Sequence, residues 1–169
     1  NPGYPPVKIF PGTFQGGTIC IKGNISSQYL SSLLMASPLA TEITCIKVEG
    51  EQVSKPYVDL TIAVIEQFGA HIEREGYSKF IIAPNQHYLS PGEVFVEGDA
   101  SGASYFLSAA AIRGGTVRVH GIGRKSVQGD VRYADILAQM GANVTWGDYW
   151  IEVSRGELRG IDIDMNDQP

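Results

Sequence analysis

The sequence predicts an α/β fold of repeated β-α-β-α-β-β units, with a partial unit at each end. Three pairs of matching segments, met in the same order, predict it. Gly17-Thr18-Ile19-Cys20-Ile21-Lys22-Gly23 matches Gly92-Glu93-Val94-Phe95-Val96-Glu97-Gly98, a shift of 75 positions. Ile46-Lys47-Val48-Glu49-Gly50 matches Val117-Arg118-Val119-His120-Gly121, a shift of 71. Phe68-Gly69-Ala70-His71-Ile72 matches Met140-Gly141-Ala142-Asn143-Val144, a shift of 72. Three landmarks in one order are a repeat, not a coincidence.

Each unit opens with a β-branched strand, 19–22 in the first copy and 94–97 in the second. A helix follows over 26–36 and 100–112, rich in Leu30, Leu33 and Leu34 or in Ala109, Ala110 and Ala111. Such composition predicts burial on most sides. The next strands are 43–48 and 116–120. The second helix of the first copy runs over 56–68, with Tyr57, Leu60, Val64 and Phe68 predicted as one buried face. Ser54 precedes it, Pro56 suits its first turn and Gly69 ends it. Its counterpart runs over 131–140, capped by Asp130 and lined by Tyr133, Leu137 and Met140. Hairpins close the units, 71–75 with 79–83 and 143–146 with 149–154. Residues 4–10 predict the closing strand of an earlier unit, and 160–165 the opening strand of a later one. A repeat unit cannot bury its face alone, so the sequence is expected to be a piece cut from both sides.

Bulk properties narrow the function. The 169 residues are 43% hydrophobic and 18% charged, enough apolar material for a core. A net charge of -5 argues against nucleic acid as partner. No run of 18 apolar residues is present to span a membrane, and Asn1 to Pro6 lack a signal-peptide pattern. Cys20 and Cys45 lie in β-branched runs and read as buried strand thiols in a reducing cytoplasm. The two glycosylation-type triplets, at Asn24 and Asn143, are read as chance.

Chemistry concentrates at two predicted helix starts. Gly23-Asn24-Ile25-Ser26-Ser27-Gln28 joins a strand to a helix. Unpaired N–H groups and the positive dipole end suit a phosphate there, and two hydroxyls and an amide add donors. Spacing alone favours a plain N-cap, because serine caps are common. The second copy has Ser101-Gly102-Ala103 at this place, so the Ser-Ser-Gln cluster is particular to the first. Ser54 and Tyr57 stand at the next helix start. They fit either the same anion site or a cap and a core aromatic, and Lys55 fits a solvated side chain. Gly121-Ile122-Gly123-Arg124-Lys125-Ser126 imitates a nucleotide loop, but Arg124 separates glycine from lysine, and a connecting loop is the better reading. His71, His87 and His120 have no shared spacing. Asp162 and Asp164 alternate with isoleucines as in a half-exposed strand, so a metal loop with Asp167 is the weaker reading.

Four motifs together carry a family likeness: Ser26-Ser27-Gln28, Ser54-Lys55-Pro56-Tyr57, Glu97-Gly98-Asp99-Ala100-Ser101 and Gln128-Gly129-Asp130. In order and spacing the chain resembles the 5-enolpyruvylshikimate-3-phosphate synthases over essentially its whole length. The resemblance implies the enolpyruvyl transferase fold, six β-α-β-α-β-β units in two domains. It implies transfer of the enolpyruvyl group of phosphoenolpyruvate to the 5-hydroxyl of shikimate 3-phosphate, with release of phosphate and with no metal or organic cofactor. By the same likeness, 1–98 would complete the shikimate-3-phosphate domain. Within it 1–15 would end one unit, 16–84 form a full unit and 85–98 the crossover. Residues 99–169 would open the second domain. Ser26, Ser27 and Ser54 would hold the 3-phosphate, Tyr57 would contact the same substrate, and Gln28 would sit beneath the shikimate ring and reach toward phosphoenolpyruvate. This reverses the preference for plain caps.

The catalytic aspartate of the family would fall directly after Pro169, and its anion-clamping cations outside the chain. The piece alone is therefore expected to be inactive, since charge-assisted contacts supply much of the affinity for a dianion. Its bare unit faces predict self-association, whereas the resemblance implies a monomer for the whole enzyme. Two rival readings remain: an enolpyruvyl transferase acting on UDP-N-acetylglucosamine, and a non-catalytic binding module built of repeats.

Overall fold

The computed structural model describes residue 3 and residues 5–165. Strand β1 (Gly17–Lys22) runs parallel to β2 (Thr44–Glu49), with Gly17 opposite Thr44 and Lys22 opposite Glu49. Parallel neighbours need a crossover, and helix α1 (Ser27–Ala36) supplies it. Helix α2 (Lys55–Gln67) then leads to β3 (Glu73–Glu75) and β4 (Lys79–Ile82), giving a sheet ordered β1-β2-β4-β3. Helix α3 (Ala100–Arg113), β5 (Thr116–His120), helix α4 (Tyr133–Gln139), β6 (Asn143–Trp146) and β7 (Trp150–Ser154) follow. These three strands form a second, antiparallel sheet ordered β5-β7-β6. The fold is mixed α/β, as the sequence predicts, and the first half has the full β-α-β-α-β-β order.

Local chemistry sets the boundaries. Ser26 is extended and its Oγ accepts from the Gln28 N–H at 3.2 Å, starting α1. At the other end the Ser37 hydroxyl donates to the Leu33 carbonyl at 2.7 Å, and Pro38 cannot continue an α-helix. Asp99 caps α3 by accepting from the Ser101 N–H at 3.0 Å. Each half has its own core. Leu30, Leu34, Ile46, Val58, Ile65, Phe80 and Ile82 pack together in the first, and Leu107, Ala111, Ile122, Leu137, Ile151 and Val153 in the second.

Several expectations need correction. Residues 94–97 form no strand. Among the described residues the only ladder-like bond there is Gly98 N–H to the Gly121 carbonyl, at 2.9 Å. Glu97 instead turns its carboxylate to the 126–128 loop, accepting from the Val127 N–H at 3.1 Å. A β-prone run without a partner for its backbone does not become a strand. Residues 5–10 and 160–165 likewise form none; Tyr4, Asp167 and Pro169 lie outside the described residues.

The helices bury one stripe rather than most sides. In α1 only Ser27, Leu30 and Leu34 are buried, because one face meets the sheet and no layer covers the other. In α2 the buried stripe is Val58, Ile62 and Ile65, one position round from the predicted face, and Val64 is exposed. Cys20 is exposed and Cys45 half-buried, since Cys20 lies on the outer pleat of edge strand β1. Asp130 does not cap α4; it sits in a 3₁₀ turn (Gly129–Arg132) that precedes the helix.

Candidate functional site

A pocket of about 570 Å³ opens between the starts of α1 and α2. Ser26, Ser27, Gln28, Ser54 and Tyr57, the five positions singled out in the sequence, all line it. Backbone bonds hold the two helix starts together. The Gly23 N–H donates to the Glu49 carbonyl at 3.0 Å, and the Val53 N–H donates to the Gly23 carbonyl at 3.1 Å. Gly23 must be glycine for this approach, because a Cβ there would lie 2.7 Å from Val48 Cγ1 and 3.0 Å from the backbone of Gln52. The loop before α2 is thereby drawn onto the loop before α1, and Ser54 comes to line the same pocket as Ser26 and Ser27.

The polar groups in this pocket fall into two sets. At its floor the Ser31 and Thr61 hydroxyls bond each other at 2.8 Å, and Thr61 also donates to the Tyr57 carbonyl at 2.7 Å. At its rim the side chains of Ser27, Gln28 and Ser54 have no hydrogen-bond partner among the described residues. Ser54 is also left-handed, with φ 54° and ψ 46°, and its side chain makes no capping bond although it occupies the N-cap position. A non-glycine residue in that region carries strain, and the strain here accompanies a hydroxyl released from capping. Ser27 is buried, at 7% exposed.

Electrostatics define what the rim takes. The start of α1 lines the pocket, and the positive end of a helix dipole favours an anion. No lysine or arginine lines it. Lys55 pairs with Glu51 at 3.1 Å and lies over the Tyr77 ring, on the far side of α2. Met35 and Leu60 give the pocket an apolar wall, fit for a carbon ring. Tyr57 completes it. Its hydroxyl donates to Asp130 Oδ2 at 3.2 Å, and burial first, then the Asp130 charge, push the phenol above its ordinary value. Among the described residues no group of three His, Cys, Asp or Glu is arranged to hold a metal ion.

Sequence reasoning missed the contact between Tyr57 and Asp130. The position of Asp130 predicts a helix cap, and nothing in its spacing points to a partner 73 positions away. The signal that existed was the motif Gln128-Gly129-Asp130 itself, which had no role in the local reading.

Comparison with known proteins adds the family. The EPSP synthase (3-phosphoshikimate 1-carboxyvinyltransferase) family model matches residues 1–169. The 3-phosphoshikimate 1-carboxyvinyltransferase of Marinomonas sp. (strain MWYL1) is 57% identical over 166 residues, covering 98% of this chain and 39% of the relative. That of Cronobacter sakazakii (strain ATCC BAA-894) is 55% identical, with the same two coverages. The solved EPSP synthase from Acinetobacter baumannii superposes with a TM-score of 0.72 at 25% identity, over 98% of this chain and 38% of that one. The enolpyruvyl transferase NikO from Streptomyces tendae shares the fold, with a TM-score of 0.61 at 19% identity over 83% of this chain and 36% of its own. The chain thus spans about two fifths of the length of the curated relatives it matches.

Proposed function

Since this chain belongs to the EPSP synthase family, we propose that it forms one wall of the site at which a full-length protein transfers the enolpyruvyl group. The donor is phosphoenolpyruvate and the acceptor the 5-hydroxyl of shikimate 3-phosphate; the products are 5-enolpyruvylshikimate 3-phosphate and phosphate. Ser26, Ser27 and Ser54 hold the 3-phosphate, Tyr57 flanks the ring, and Gln28 lies beneath it and reaches toward phosphoenolpyruvate. One observation carries this reading: two hydroxyls and an amide without side-chain partners among the described residues line one pocket at two adjoining helix starts. Partnerless donors beside a helix N-terminus suit a phosphoryl group.

In this reading residues up to about 98 complete the acceptor-binding domain and the following ones open the second domain. Two separate sheets and two separate cores support that division. The isolated 169-residue chain is inactive and binds the acceptor weakly, because its pocket has no cation to meet a dianion. The protein works in the cytoplasm on small molecules, as a monomer when whole. Exposed Phe95, Val96, Tyr105 and Phe106 support self-association of the piece by itself.

The test is calorimetric titration of the full-length protein with shikimate 3-phosphate, beside its Ser27→Ala and Ser54→Ala variants. Saturable binding that each substitution weakens about tenfold or more is expected. Unaltered binding in both variants would remove the assignment. Offering UDP-N-acetylglucosamine in competition separates the rival acceptor, which is expected to leave shikimate 3-phosphate undisplaced.

A further inference from the structure

Three of the four motifs in the sequence meet at one carboxylate outside the phosphate pocket. Asp130 Oδ2 accepts from the Tyr57 hydroxyl at 3.2 Å and also from the Ser101 hydroxyl. Tyr57 belongs to the first half and both of its companions to the second. The turn bearing Asp130 is tightly held. Gln128 donates through Nε2 to the Gly98 carbonyl at 2.7 Å and to Glu97 at 2.9 Å, and its Oε1 accepts from the Ala100 N–H at 3.0 Å. Gly129 abuts Pro56 so closely that a Cβ at 129 would overlap the proline ring. The chain around Asp130 is therefore fixed against the first turn of α2.

Tyr57 gains most from this. Its ring lines the 570 Å³ pocket on one side and, on the other, an 80 Å³ crevice shared with Asp99, Ser101 and Asp130. It is 39% exposed, so packing alone leaves the ring free to swing away from the pocket. The comparison within the molecule is Tyr77, whose hydroxyl donates to Asp59 at 2.6 Å inside one half and which lines no part of that pocket. The Asp59 contact secures a surface; the Asp130 contact secures a pocket wall.

We propose that Asp130 is a positioning residue for Tyr57: the carboxylate of the second half sets the ring of the first half against the bound acceptor. The proposal rests on the reading of the pocket as an acceptor site. Asp130 does not touch the ligand; it acts by holding the phenol in one orientation. A preset wall raises affinity by removing the cost of ordering a side chain on binding.

The experiment uses the full-length protein with shikimate 3-phosphate as the probe, in Tyr57→Phe, Asp130→Ala, Asp130→Asn and the Tyr57→Phe/Asp130→Ala pair. Asp130→Ala is expected to raise the Kd and KM for shikimate 3-phosphate about fivefold to tenfold, as loss of one such hydrogen bond does, with the KM for phosphoenolpyruvate unchanged. Tyr57→Phe should match it, and the pair should be no worse than either. Asp130→Asn keeps an acceptor oxygen and should recover most of the affinity, a rescue that a general loss of stability would not show. If Asp130→Ala does not fold, Asp130→Leu, which keeps the branching at Cγ and has no acceptor, takes its place. Wild-type affinity in the variant without an acceptor, or losses that multiply in the pair, would overturn the proposal and leave the acceptor site standing. Failure of the wild-type protein to bind shikimate 3-phosphate would instead remove the acceptor reading, and this inference with it.

Discussion

The starts of α1 and α3 occupy equivalent places in the two halves, yet their polar groups are used differently. At α3 the Asp99 carboxylate caps the helix, the Ser101 hydroxyl is held by Asp130, and the Ala100 N–H is held by Gln128. The first two N–H groups of α3 and the Ser101 hydroxyl thus each have a protein partner. At α1 the cap is Ser26, and beside it Ser27 and Gln28 extend into a pocket without partners. One start is closed by the protein and the other is left for something else. Fold alone does not distinguish them; what each donor meets does, and the buried Ser27 has no side-chain partner among the described residues, where a buried polar group ordinarily has one.

The largest test of treating the halves separately is a core truncation. Phe80 is fully buried at the centre of the first core, and Phe80→Ala should cost about 3–5 kcal/mol in urea unfolding. The amides of β5 and β7, whose core does not include Phe80, should keep more of their hydrogen-exchange protection than those of β2 and β4. Equal loss in both sheets would show one cooperative unit, and the comparison between halves would then be one of chemistry only.

Next in size is the effect on binding at the open helix start. Ser54→Ala in the full-length protein should cost about 1.5–3 kcal/mol of affinity for shikimate 3-phosphate, the scale of a hydrogen bond to a charged group. The melting temperature should hold or rise, because the Ser54 hydroxyl has no protein partner to lose. A variant that loses stability and keeps its affinity would reverse the contrast drawn above, making α1 the structural start.

Smaller still is the difference between the caps. Ser26→Ala and Asp99→Ala each remove one capping bond, of 3.2 Å and 3.0 Å, at a cost of about 0.5–2 kcal/mol. Asp99→Ala should stand at the upper end, since a carboxylate also favours the positive end of the helix dipole. Chemical denaturation of the two single variants checks the order. A larger loss at Ser26 would mean that its hydroxyl does more for the fold than for the pocket.

Much of the first half was legible because its signals are local. Residues 19–22 read as a strand, Ser26 as a cap and Gly69 as a stop, and each acts within a few residues. The five pocket residues were legible for the same reason: they stand at two helix starts. What failed was whatever depends on a distant partner. The run 94–97 has strand composition and no ladder; Cys20 sits on a strand whose outer face has no cover. The buried stripe of α2 was misjudged because Tyr57 and Leu60 are apolar enough to look like core, though they face the pocket. Asp130 looked like a cap, and its role was set by a tyrosine in the other half.

The smallest expected effect concerns alkaline pH and lies within the first half, which contains Tyr57, Tyr77 and Tyr88. All three phenols are raised above the ordinary value of 10.0, each chiefly by burial, with Asp130 adding to Tyr57 and Asp59 to Tyr77. A raised phenol in the folded state means that the unfolded chain gives up its protons first as pH climbs. Stability from these groups is therefore complete below about pH 10 and falls as pH rises toward the folded values. Partial exposure and solvent screening keep the slope shallow. Thermal melts between pH 9 and 11 should show it, and Tyr77→Phe should flatten it in part. Because the Tyr57 shift depends on a carboxylate from the second half, Asp130→Asn should flatten it too, without touching the Tyr77 share. An unchanged slope in Asp130→Asn would mean that burial alone sets the Tyr57 share and that the carboxylate adds nothing to it.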